Sequence, residues 1–495
     1  MSTHDYLGDG GRLAGGPADE LIAAAYVHEI GHGPRLAHDL SLADLAHAVA
    51  LADSGALDAD RARALASGLL ELHRIPGSEF PWNPQLGDAF NSREAELVRL
   101  AGKDAAGWLS AGRPRREAFR VGVRLYARRA SCELRRALLD GAGHLVAQAR
   151  AHATDLAADF TYLQAAQPTT AGHLLLAYAY PLLRDVERLA RVHVELDRSV
   201  AGAGGSAGSR WPLDRALLAD LLGCSGLVTH TKDAAWQWDV YVELLSALAI
   251  SATHLSQLGQ DFEIYASRQF GIVELDDAHS RASALMPQKK NPYALAAIRT
   301  QAGQAAGDLA AALVTLHTGS ARTDHFHLLN GTIPRALEQS VAIARLAAAV
   351  LERTSVDVER WGQIARDGFT NAADVADVLA ADRGIDYRTA HTIVGLAVKQ
   401  LIAAGAGELT SDAIARASAE IVGSPLAVDP ATITPEACVE ARRQTGSSSR
   451  AAMLAMLDEC EALITQGRAL AEHASVQASE AESRLLARAS ALASS

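Results

Sequence analysis

The chain has 495 residues, with 46 Lys or Arg against 58 Asp or Glu, for a net charge of −12. That balance excludes the basic face that nucleic-acid binding requires and suits a protein held in solution. Hydrophobic residues make up 49% of the chain but aromatic residues only 5%, so Ala, Leu and Val carry the packing and favour helices.

Residues 1–17, polar and Gly-rich, predict a mobile tail and lack the basic flank and apolar core of a signal peptide. No apolar run reaches the roughly 18 residues of a membrane span. From Asp19 to about His73 the pattern is helical, with a break at Gly33-Pro34. Residues 75–87 hold three prolines and two glycines and predict an irregular connection. Helical pattern resumes near Ser92, and Gly112-Arg113-Pro114 marks the next boundary.

Long helical runs then cover roughly 115–157, 169–199, 233–267, 291–318 and 334–354. They exceed the average globular helix of about 11–12 residues, and such helices in series imply an extended bundle. Strand-like alternation is nearly absent. Shorter helices follow from Asp357 past residue 440, and 465–495 predict a terminal helix. The expected fold is all-α with three helical domains: 1–112, a central long-helix bundle at 113–356, and a small helical region with the terminal helix at 357–495. Cys132, Cys224, Cys438 and Cys460 are far apart and form no CxxC. They point to reduced thiols in a cytoplasmic protein, not to a disulfide framework or a cysteine zinc site.

Residues 283–291, Ser-Ala-Leu-Met-Pro-Gln-Lys-Lys-Asn, concentrate the chemistry. Pro287 predicts a loop and biases Met286 towards extended backbone. Such a loop can present Ser283 as a base or nucleophile while Lys289 and Asn291 hold an anion. The stretch resembles the signature loop of the aspartase/fumarase superfamily, above all its argininosuccinate lyase branch, which reads Gly-Ser-Ser-x-Met-Pro-x-Lys-x-Asn. Ser283, Met286, Pro287, Lys289 and Asn291 keep the pattern; Ala282 and Ala284 replace its Gly and second Ser. The resemblance extends over about residues 20–460. It includes Thr161-Tyr162-Leu163-Gln164 through Gln167-Pro168, Ala201 to Gly208, and Phe369-Thr370-Asn371-Ala372 through Ala390-His391.

The resemblance implies an elimination β to a carboxylate, with no metal or organic cofactor. Ser283 would remove the proton from the carbon next to a substrate carboxylate. Serine does this only as an alkoxide, so nearby cations and N–H groups must lower its pKa. Lys289 would supply charge for the dianion that forms. Arg115, Thr161, Gln167, Met286, Gln288 and Asn291 would contact substrate, Arg115 by a bidentate grip. A homotetramer is also implied, with each site assembled from three chains, as are a small carboxylate substrate and the absence of nucleic-acid or membrane partners.

Two positions depart from the family. Its acid relay pairs a histidine after the Thr with a glutamate after the Lys-x-Asn; here these are Tyr162 and Ala296. Tyr162 is the candidate donor, although a phenol of pKa ~10 is weak for the task. His279, His173, His325 and His327 are the other candidates. Near 322–329 no set of residues suited to a guanidinium stands out, and Trp236 and Trp238 replace small or charged family residues. A substrate other than argininosuccinate is therefore expected. The alternatives are a genuine argininosuccinate lyase, a relative without activity, and a zinc hydrolase. The last rests on His28-Glu29-Ile30-Gly31-His32 with His38 at third-ligand spacing, a pattern that Pro34 and the flanking glycines weaken. Gly202 to Gly208 reads as a flexible loop or an anion-binding nest.

Overall fold

Ala and Leu lose little conformational freedom in a helix, and they set the architecture. The computed structural model describes residues 16–319, 325 and 328–495; the segment expected to be a mobile tail lies mostly outside them. The fold is all-α apart from four two-stranded β pairings among the described residues.

The centre is a bundle of five helices: Arg115–Ala151, Ala171–Leu196, Asp239–Tyr265, Tyr293–Leu316 and Ile333–Arg353. The first packs against the second and fifth, and the third against the fourth. Leu and Phe recur at helical spacing along the inner faces, and Phe119, Leu134, Leu138, Leu189, Leu244, Phe262, Leu295 and Leu337 are almost wholly buried. Each contributes about 1.5–3 kcal/mol relative to exposure.

The N-terminal helices Gly33–Asp53 and Ala59–His73 form a second core around Leu45, Leu51, Leu65, Leu69 and Leu72. The predicted break at Gly33-Pro34 is corrected. Helix Val27–Ile30 ends before Gly31 and His32, and Pro34 opens the next helix, where its missing N–H costs no hydrogen bond. A second break, at residues 54–58, was not expected; there Asp58 accepts the N–H of Arg61 at 2.9 Å and caps the following helix. A third core joins Val375, Leu379, Ile393 and Ile414.

The terminal helix is longer than predicted, running from Arg450 to Ser494. Met453, Leu457, Cys460 and Ile464 enter the bundle core, whereas Leu485 and Ala489 enter the N-terminal core. All four cysteines are free thiols. No described helix is long and apolar enough to cross a membrane.

Asp44 lies between two guanidinium groups in the N-terminal core. Arg113 donates to one carboxylate oxygen at 2.5 Å and Arg93 to the other at 2.8 Å, with all three side chains almost fully buried. Burial raises the carboxyl, but the two cations outweigh it and hold Asp44 below its ordinary value.

Candidate active site

The signature loop is a short hairpin. Residues Arg281–Ala282 pair antiparallel with Lys290–Asn291, and Lys289 N–H donates to the Met286 carbonyl at 3.1 Å across a β-turn with Pro287 at its second position. Ser283 Oγ accepts the N–H groups of Leu285 at 3.3 Å and Met286 at 3.0 Å. Two N–H donors on one hydroxyl oxygen favour its anionic form, which is the form a base requires.

The rest of the loop faces outward: Leu285 is 85% exposed, and Met286, Gln288 and Lys289 are exposed as well. Lys290 bridges Glu274 at 3.0 Å and Asp277 at 2.8 Å. That leaves Lys289 as the loop lysine without an ion-pair partner among the described residues. Asn291 donates to the Arg281 carbonyl at 2.9 Å, so its amide ties the hairpin together and keeps its remaining N–H for a ligand.

Thr161, Tyr162 and Gln167 occupy a second hairpin, one of the few β pairings among the described residues. Strands Leu156–Thr161 and Gln164–Thr170 pair antiparallel, with Thr161 opposite Gln164. Tyr162 and Leu163 turn the chain with φ of 54° and 60°, a left-handed geometry that normally selects Asn or Gly. The Tyr162 side chain is 99% exposed, and Thr161 and Gln167 are exposed too. Trp361 Nε1 donates to the Ala158 carbonyl at 2.8 Å and anchors the hairpin base. Within one chain, no hydrogen bond, ion pair or cavity among the described residues joins Ser283 to Tyr162.

Arg115 opens the first bundle helix, and its guanidinium meets the buried carboxylate of Asp88 at 3.0 Å. Two residues on, Glu117 is buried and accepts N–H bonds from Gly202 and Gly204, both at 2.6 Å. Both glycines have positive φ, 73° and 66°. The 201–208 loop therefore is an anion nest, but the anion it holds is the protein's own Glu117. Burial pushes that carboxyl up to about 7 against the pull of the two N–H groups and Arg113. Sequence reasoning missed the pairing, although an acid in the first turn of a helix and spaced glycines elsewhere were its visible halves.

The histidines proposed as acids are mostly engaged. His173 contacts Thr169 Oγ1 at 3.0 Å and the Gly446 carbonyl at 3.2 Å. His325 is buried edge-on between Trp236 and Trp238, 2.7 Å from Thr318 Oγ1. That places the tryptophan pair in packing, and His173 and His325 each already have partners of their own. His279 is half-buried with its Nδ1 unpaired. His327, with residues 322–324, lies outside the described residues. Ala296 is exposed and brings no carboxylate. The zinc-hydrolase pattern does not assemble either: the helix breaks between His28 and His32, and neither joins a cluster of metal-binding side chains among the described residues.

A bundle of long helices and an outward Ser-x-x-Met-Pro loop define a lyase scaffold of the aspartase/fumarase type. Residues 42–307 match the lyase family, and residues 369–440 match the argininosuccinate lyase C-terminal family. The argininosuccinate lyase of Methanoculleus marisnigri is 33% identical over 471 residues, covering 93% of this chain and 94% of that protein. That of Thermus thermophilus is 34% identical over 405 residues, 80% and 86% of the two chains. An EDDS lyase in complex with formate superposes with a TM-score of 0.84 at 26% identity over 97% of each chain. An EDDS lyase variant with bound fumarate gives 0.85 at 25% identity over 98% of each. The chain belongs to the lyase family of the aspartase/fumarase superfamily, in its argininosuccinate lyase-like branch.

Proposed function

We propose that this protein is a carbon–nitrogen lyase that cleaves an N-substituted succinate to fumarate, or a related unsaturated acid, and an amine. The observation that carries the reading is Ser283 Oγ held by the N–H groups of Leu285 and Met286 in an exposed loop. As the alkoxide, Ser283 takes the proton from the carbon next to a carboxylate. The C–H electron pair enters that carboxylate, and Lys289 and the remaining N–H of Asn291 stabilise the dianion. The pair then forms the C=C bond as the C–N bond breaks, and the nitrogen leaves with its electrons and gains a proton from the Tyr162 hydroxyl. Arg115, Thr161, Gln167, Met286 and Gln288 orient the substrate.

Ser283 and Tyr162 stand on separate exposed hairpins, which favours a homotetramer whose sites draw residues from several chains. The solvent-facing Leu313 and Val314, 54% and 76% exposed on the fourth bundle helix, supply apolar surface for such packing. A second reading, argininosuccinate lyase itself, is favoured by the names of the relatives. Tyr162 and Ala296, in place of the imidazole and carboxylate of the relay, count against it, because a strongly basic guanidine needs a well-matched acid, worth about 10²–10⁴-fold, and a phenol of pKa ~10 is a weak one.

The test is a panel of argininosuccinate, nitrosuccinate, aspartate and other N-substituted succinates, followed by ultraviolet absorbance of the unsaturated acid. Ser283→Ala should lower kcat by about 10²–10⁴-fold with little change in KM. Full activity in Ser283→Ala would remove the base assignment. Preference for argininosuccinate would establish the second reading, and silence in both directions on every substrate would mark a relative without activity.

A further inference from the structure

Away from the Ser283 loop, three side chains from three helices converge. His38 belongs to helix Gly33–Asp53, His73 ends helix Ala59–His73, and Glu482 lies on the terminal helix Arg450–Ser494. A ring nitrogen of each histidine and a carboxylate oxygen of Glu482 all lie within 4.8 Å of one another. His38 Nε2 is 3.3 Å from Glu482 Oε2, and the two imidazole rings stand 5.3 Å apart at 42°. His73 Nδ1 is buried without a hydrogen-bond partner, a cost that a ligand at that nitrogen would remove. We propose that His38, His73 and Glu482 form a zinc site that clasps the terminal helix to the N-terminal pair of helices.

The donor set and spacing suit this ion. Two imidazoles and a carboxylate are common zinc ligands, and bonds of about 2.0–2.2 Å at the tetrahedral angle put donor atoms roughly 3.4 Å apart. The donor atoms, within 4.8 Å of one another, must draw closer by about an ångström to reach that separation. His38 and Glu482 also line a cavity of about 220 Å³ together with Asp39, Arg129 and Cys132, which leaves room for a water as fourth ligand. Asp39 and Arg129 are paired at 2.8 Å and do not compete for the metal. None of these residues belongs to the Ser283 loop or the Tyr162 hairpin, so the site acts on assembly of the fold and stands whether or not the proposed elimination occurs.

The test uses the untagged full-length protein, stripped with a chelator, dialysed, and titrated calorimetrically with zinc chloride. One equivalent per chain should bind and raise Tm, and cobalt in its place should give the visible absorption of a four-coordinate ion. His73→Ala and Glu482→Gln should each weaken binding by more than about tenfold, since even outer partners of a metal are worth about 10–100-fold. Circular dichroism would verify that each variant folds, and Ser283→Ala should bind zinc as the wild type does. No zinc binding by the wild type, or binding unchanged in the folded His73→Ala and Glu482→Gln variants, would overturn the proposal.

Discussion

Replacing Asp44 by Ala should cost this fold more than almost any other single change in the N-terminal core. The carboxylate bridges Arg93 and Arg113, whose side chains are 5% and 2% exposed. After its removal Arg113 keeps the Ala43 carbonyl, and Arg93 keeps Ser41 Oγ and the Ala37 carbonyl, all neutral acceptors. Two buried cations then lose the carboxylate that hydrogen-bonds to both. Breaking one buried pair destabilises by about 3–5 kcal/mol. At roughly 2 °C per kcal/mol for a large domain, Tm should fall by about 6–10 °C, with a matching drop in the urea midpoint. The acid limb supplies an internal control. Asp44 is held below its ordinary value in the folded chain, so the unfolded chain binds its proton first as pH falls. The stabilisation is therefore complete above the unfolded pKa of about 4 and disappears as pH drops through the folded value. Asp44→Asn should flatten that limb. A loss below about 1 kcal/mol, the range of exposed pairs, together with an unchanged acid limb, would refute the argument.

The turn at Tyr162-Leu163 should respond in the opposite direction: Leu163→Gly removes a side chain from a left-handed position and should stabilise the protein by about 1 kcal/mol, read as a rise in Tm. Burial pushes Glu117 up to about 7 in the folded chain, against an ordinary carboxyl value near 4.5, so between these pH values the folded chain holds the extra proton and stability declines as pH rises. Glu117→Gln should abolish that slope, which amounts to at most about 3 kcal/mol; an unchanged pH–Tm curve would show the group is not titrating there. Mixing inactive Ser283→Ala and Tyr162→Phe chains under conditions that exchange subunits should restore part of the activity if sites are shared between chains, whereas a self-sufficient monomer would give none.

The long helices were legible because Ala and Leu persist at helical spacing over many turns, and the five bundle helices begin and end within six residues of the predicted runs. Short pairings were not. The Tyr162 hairpin hides because its turn carries Tyr and Leu where a left-handed pair normally shows Asn or Gly, and because Ala-rich strands do not alternate. Pro34 misled for a related reason: a proline breaks a helix from within but opens one at the first turn, and periodicity alone does not separate the two. In the signature loop, Ser283 and Lys289 were visible from residue type and spacing. The division of labour between Lys289 and Lys290 was not, because it depends on Glu274 and Asp277 arriving from an earlier segment. The same holds for Glu117, whose partners Gly202 and Gly204 are more than eighty positions away in the chain.

The terminal helix has a consequence for how the chain is made. Its 45 residues extend roughly 67 Å at 1.5 Å per residue, with one end in the bundle core and the other in the N-terminal core. Both cores contain segments that emerge from the ribosome hundreds of residues earlier, and domains generally begin to fold during synthesis. The groove that receives this helix on each core must therefore stay uncovered until residues 450–494 have themselves been synthesised. During that interval the nascent protein presents the apolar seats of Leu457, Ile464, Leu485 and Ala489 to the cell, and the helix that spans both cores is also the element that closes them.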